Sequence, residues 1–149
     1  ILKKDELKTF IDTNLFEEEI IRLKKKIETG LVSSIWFQFG TNYTLLKSRL
    51  ETINQIIVLS LRKKPDISNI VLYGSVLLPS RQFLARFNYR PWKEVYCSEE
   101  FLDSIDCANN IIIEILKTYR VYNIIPIIEN NTSNDEQLKL LKKLCISLN

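Results

Sequence analysis

The 149-residue sequence contains no histidine and no methionine, and only 3 glycines, 4 prolines and 3 cysteines. Each scarcity removes a class of chemistry. Without histidine, Ser–His–Asp and Cys–His catalytic arrangements are impossible, and so is every His-bearing metal site. Cys97, Cys107 and Cys145 show no CxxC spacing and fall short of the four thiolates that a histidine-free structural zinc site needs. An odd, sparse cysteine count also argues against a disulfide framework and for a reducing compartment. Three scattered glycines build neither a GxGxxG loop nor a P-loop. Tyr73-Gly74-Ser75 has no Asp pair behind it to suggest nucleotidyl transfer, and Asp103 and Asp106 have no further carboxylate to complete a metal or acid/base site. The inventory reads as a non-enzymatic chain with no cofactor, no metal and no small-molecule substrate.

Long hydrophobic runs are missing as well. Runs such as residues 70–73 and 76–78 are far shorter than the ~20 residues that span a bilayer, so no membrane segment is expected. No signal peptide is visible. Because the chain begins at Ile1 and lacks Met, Ile1 is not expected to be the native N-terminus. Charge is nearly balanced, at +3. The densest basic cluster, Arg22 and Lys24 to Lys26, is flanked by Glu17 to Glu19 and Glu28, and reads as a solvated helix face. Sequons at Asn42, Asn130 and Asn131 read as chance matches.

What the sequence does have is helical periodicity, and few Gly and Pro favour long helices over many strands. Trp36, Phe39, Tyr43, Leu46, Leu50, Ile53 and Ile57 recur at spacings of 3, 4, 3, 4, 3 and 4. That spacing predicts a helix over residues 36–61 with one buried seam. Ser33 and Ser34 are expected to cap it, and Lys63, Lys64 and Pro65 to end it. Before it, residues 2–11 read as a short helix. Asn14 and Glu17 resemble a capping box for a second helix carrying Phe16, Ile20, Leu23 and Ile27 on one face, which stops at Gly30. Two heptad segments joined by few residues predict an antiparallel hairpin across residues 1–64.

Residues 65–97 read as an extended strap or one short strand, with Pro79 closing the apolar stretch. Phe83, Leu84, Phe87, Tyr89, Trp92 and Tyr96 then interleave with Arg81, Arg86, Arg90 and Lys93. Such interleaving could stack nucleic-acid bases. The preferred reading is that the aromatics pack inward while the cations snorkel outward, so direct nucleic-acid binding is not expected. Ser98 is expected to cap a third long helix over residues 98–126, apolar on two sides and ended by Pro126. Residues 127–149 read as a linker, polar over residues 129–134, and a C-terminal docking helix, for which Ser133 with Glu136 suggests another cap. This short amphipathic helix carries Leu138, Leu141, Cys145 and Leu148 on one face, suited to docking on a partner or to folding back. The expected fold is therefore all-α: an elongated helical bundle with a strap and a detached C-terminal amphipathic helix.

The run WFQFGTNYTLLKSRLETINQII over residues 36–57 resembles the second helix of the Mediator subunit 8 family, part of the Mediator head module. The likeness rests on Trp36, Tyr43, Leu45, Leu46, Leu50, Thr52, Ile53 and Asn54. The apolar stretch of residues 69–79 and the tail of residues 137–148 are similar to later parts of that family, while residues 80–126 match no motif of it. The resemblance implies a nuclear scaffold in RNA polymerase II transcription regulation. The seam Phe16, Ile20, Leu23, Ile27, Trp36, Tyr43, Leu46, Leu50, Ile53 and Ile57 would pack with head subunits 17, 11, 22 and 6. Leu138, Leu141, Cys145 and Leu148 would tether the movable jaw of subunits 18 and 20. The alternatives are a self-contained helical adaptor, viral or eukaryotic, and a nucleic-acid binder acting through Arg81 to Lys93.

Overall fold

The computed structural model describes residues 13–63, 70–92, 95–129 and 135–147. In chain order the elements are α1 (Thr13–Glu28), β1 (Ser34–Phe37), α2 (Tyr43–Lys63), β2 (Val71–Leu77), α3 (Arg81–Tyr89), α4 (Glu99–Asp103), α5 (Ile105–Val121), β3 (Ile124–Glu129) and α6 (Asp135–Ser147). The fold is mixed α/β, with a three-stranded parallel sheet in the order β1-β2-β3. This overturns the all-α expectation.

The correction begins at Trp36. Ser34-Ile-Trp-Phe37 is a strand, paired from Ser34↔Val71 to Phe37↔Gly74. Ile35 and Phe37 pack against the core while Trp36 faces solvent, so the true period there is two. Helix α2 starts only at Tyr43. Its cap is Asn42, whose side-chain oxygen accepts the Leu45 N–H at 3.0 Å. Trp36 and Phe39 fit the heptad spacing but lie upstream of that cap. From Leu46 onward the expected seam holds: Leu46 packs at the margin of the core, Leu50, Ile53 and Ile57 are buried, and Arg62 and Lys63 occupy the last turn. Of the hairpin expected over residues 1–64, the described residues 13–63 form two packed helices with a strand between them.

The region expected to be a strap contains the central strand β2 and helix α3. Ser80 caps α3 by accepting the Phe83 N–H at 3.1 Å. The single helix expected over residues 98–126 is three elements. Ser98 caps the short α4 and Ser104 caps α5, accepting the N–H of Phe101 and Cys107 respectively. Asn123, at φ 53°, then turns the chain left-handedly out of α5 and into β3. Pro126 does not end a helix; it lies within β3, opposite Gly74.

One face of the sheet carries the core. Leu72 and Val76 of β2 and Ile124 of β3 join Ile27 of α1, Leu50, Ile53 and Ile57 of α2, and Ile111, Ile112, Ile115, Leu116 and Tyr119 of α5 in one buried cluster. Helix α2 touches both α1 and α5, so all three lie on the same face. The two-sided apolarity of α5 is explained by burial on two sides within this chain. Gly74 permits the close approach of α5: a Cβ there would run into the Tyr119 ring. The Tyr119 hydroxyl donates to the Ser75 carbonyl at 3.2 Å. That carbonyl points toward β1 but lies past the last β1 residue, which leaves it for Tyr119.

Candidate functional site

Three regions around this sheet present chemistry, and each is built from local sequence. The first is the loop at the carboxyl end of β1. Gly40 forms a parallel bridge with Tyr96, and Thr41, 1% exposed, donates its hydroxyl to Ser98 Oγ at 3.2 Å. The Ser98 N–H donates back to Thr41 Oγ1 at 2.6 Å, and the Thr41 N–H donates to the Tyr96 carbonyl. This buried knot ties the segment after α3 to the end of β1. Its polar groups satisfy one another, so its role is positional.

The second region is α3 with the chain just beyond it. Leu84 and Phe87 point inward, and Phe83 meets Phe87, Trp92 and Phe101 at ring-centroid distances of 5.5, 5.4 and 6.5 Å. Phe39 closes the cluster on Phe101 at 5.9 Å. Beside this cluster, Arg86 and Tyr89 of α3 and its C-cap residue Arg90 come together at the end of the helix. With Pro91 and Trp92 they line an open cleft of about 810 Å³. The interleaved segment thus divides: Phe83 and Phe87 pack inward, whereas Tyr89 is 92% exposed.

The third region is the sheet face away from the helices. Trp36, Val71 and Ile125 are exposed there, next to the part-buried Tyr73 and Ile127. Trp36 lies against Tyr73, with ring centroids 6.2 Å apart, and its Nε1–H donates to Ser75 Oγ at 2.9 Å. The hydrogen bond fixes the indole over the sheet without covering it.

The residues expected to bind partners are dispersed across the molecule. Ile27, Leu50, Ile53 and Ile57 are buried in this chain's own core, and Ile20, Leu23 and Leu46 pack at its margin. Phe16 lies under the Arg49 guanidinium, 4.5 Å from its ring centroid, which couples α1 to α2. Burial lowers the pKa of Arg49 from its ordinary value. Tyr43 and Trp36 remain exposed. On α6, Leu138 is exposed while Leu141 packs part-buried against the core. Asn14 lies within α1, which begins at Thr13, rather than ahead of it; its side chain and that of Cys145, the whole of Leu148, the helix expected at residues 2–11 and the cap expected at Ser133 lie outside the described residues. The sheet-face residues Val71, Tyr73 and Ile125 were not anticipated. Their signal was the β-branched run in residues 70–77, visible only once that run is taken as a central strand.

Among the described residues no group of three or more His, Cys, Asp or Glu side chains could hold a metal ion. No described helix is long and apolar enough to cross a membrane. No protein-family model, no curated protein and no solved structure matches this chain.

Proposed function

We propose that the chain is a non-enzymatic assembly module that packs the open face of its sheet against a further layer of protein. One observation carries this reading: a parallel sheet has helices on one face and Trp36, Val71 and Ile125 in solvent on the other. Parallel sheets occur almost only with both faces covered. A contiguous exposed apolar patch marks an interaction surface. Strands in sequential order with their helices on one side also resemble the wall of a β/α barrel, whose inner face is packed core. The occupant that fits is therefore apolar α/β structure continuing the same parallel winding. The test is sedimentation velocity with dye binding on the isolated chain. Its bare face should bind a hydrophobic dye and drive self-association, and Ile125→Lys should reduce both without lowering the melting temperature. A dye-silent monomer would overturn the reading.

A second reading, the Mediator head scaffold in the nucleus, is favoured by α6. Leu138 and Ile146 are exposed at 43% and 75%, as a docking helix requires. In this reading the N-terminal contact with subunits 17, 11, 22 and 6 would run through Trp36 and the sheet face, since Leu50, Ile53 and Ile57 are occupied internally. The check is affinity purification with mass spectrometry. Head subunits should co-purify, and Leu138→Asp should release subunits 18 and 20 while the others remain bound. Retention of the jaw pair would remove the docking role.

A further inference from the structure

The cleft beside α3 is separate from the sheet face and carries its own chemistry. We propose that Arg86, Tyr89, Arg90 and Trp92 form a binding site for a planar, anionic ligand of nucleotide type. Three observations converge on this. First, among the described residues no carboxylate lines the cleft, and neither Arg86 nor Arg90 has an ion-pair partner. Two guanidinium forks without a described partner suit phosphate, which each can meet with paired N–H donors. Second, Tyr89 is 92% exposed and Trp92 50% exposed, so each offers ring surface to solvent. Exposed aromatics among cations are the pairing that stacks a base while holding its backbone.

Third, the scaffold under the cleft is fixed. Trp92 is held edge-on against Phe83 and Phe87, at 5.4 and 6.4 Å. The Arg90 N–H closes the last turn of α3 on the Arg86 carbonyl at 2.7 Å. The site is thus set before a ligand arrives, which limits the ordering cost of binding. The carbonyl end of α3 disfavours an anion on the helix axis. A phosphate therefore belongs to the side of α3 where the guanidiniums project, with the base against Tyr89 or Trp92.

The experiment is a fluorescence titration of the full chain carrying Trp36→Phe, which leaves Trp92 as the reporter. The probes are a short oligothymidylate, free thymidine monophosphate and inorganic phosphate, each at low and high salt. Quenching by the oligonucleotide, with or without the mononucleotide, supports the site, and comparison of the two identifies strand or free nucleotide as the source. Arg86→Ala with Arg90→Ala should weaken binding about tenfold or more and flatten its salt dependence. Tyr89→Ala should weaken it about 5- to 150-fold. Both variants alter exposed side chains, and circular dichroism confirms that they fold. No quenching at low salt, quenching unchanged in the double arginine variant, or equal quenching by inorganic phosphate would overturn the proposal.

Discussion

Gly74 and Tyr119 set the distance between α5 and the sheet, so they are where a single atom has the largest effect. Adding a methyl group at Gly74 pushes into an aromatic ring that is itself packed on the core. Overpacking of this kind costs about 1–3 kcal/mol. Gly74→Ala should therefore lower the melting temperature by several degrees, and Gly74→Ala with Tyr119→Leu should recover part of the loss. Thr41 is a polar counterpart. Thr41→Val preserves shape but leaves the Ser98 N–H without its acceptor, which costs about 1–3 kcal/mol. An unchanged melt would mean that the knot after β1 is not structural.

Two buried acids make stability depend on alkali. Burial pushes the Cys97 thiol up to about 12 from 9.0, and the Tyr119 hydroxyl up to about 12 from 10.0. Below about pH 9 both groups are neutral in folded and unfolded chains, so their contribution is intact. Above it the unfolded chain releases protons that the folded chain retains, and stability falls as pH rises through the folded values. The slope is at most about 1.4 kcal/mol per pH unit for each group. Chemical denaturation at a series of pH values should show the decline beginning near pH 9. Cys97→Ala should delay it to about pH 10, where Tyr119 takes over.

At the scale of elements, legibility followed length. Helices α1, α2 and α5 each have a buried face, and most of their core residues (Ile27, Leu50, Ile53, Ile57, Ile112, Ile115, Tyr119) stand at positions that heptad spacing marks. The caps at Ser98 and the stop at Gly30, with φ 77°, were equally readable, because a hydroxyl or a glycine at a helix end has a local reason. Of the strands, only β2 was legible, as the one short strand allowed within the strap. β1 is four residues long, too short for alternation to be told from a helical turn, and its Trp36 extends the heptad by coincidence. β3 was hidden by Pro126, which reads as a helix stop unless the strand is known to lie at an edge. The cleft is half-legible: its interleaved cations and aromatics stand in the sequence, but only the structure separates Phe83 and Phe87, turned inward, from Tyr89, turned out. Ser104 marks how sharply local chemistry divides this region. Ser104→Ala removes the acceptor for the Cys107 N–H and should cost about 1 kcal/mol by thermal melt, as for other lost N-caps.

For the whole molecule, the open question is on which side the sheet grows, and backbone direction answers it. The Leu78 N–H donates to the Glu129 carbonyl, and the Val71 N–H donates to the Ser33 carbonyl. In a parallel ladder each residue directs its N–H and C=O to the same side, alternating along the strand. Residues 125, 127 and 129 therefore face β2, and 124, 126 and 128 face the outer edge. Pro126 removes the middle donor of that edge, a common means of blunting strand addition. On β1 the outward residues are Ser34 and Trp36, both with intact N–H groups. A further parallel strand is thus expected to add at β1, with Trp36 buried beneath it. Ser34→Pro removes only an outward donor at the first residue of the strand, where proline is tolerated. It should leave the melt of the isolated chain nearly unchanged while weakening association. Ile35→Pro removes a donor aimed at β2 and should destabilise the fold itself, by about 3 kcal/mol if proline costs what it does elsewhere in regular structure. If sedimentation shows Ser34→Pro associating as the parent does, growth at β1 is excluded and the apolar face alone must carry the interaction.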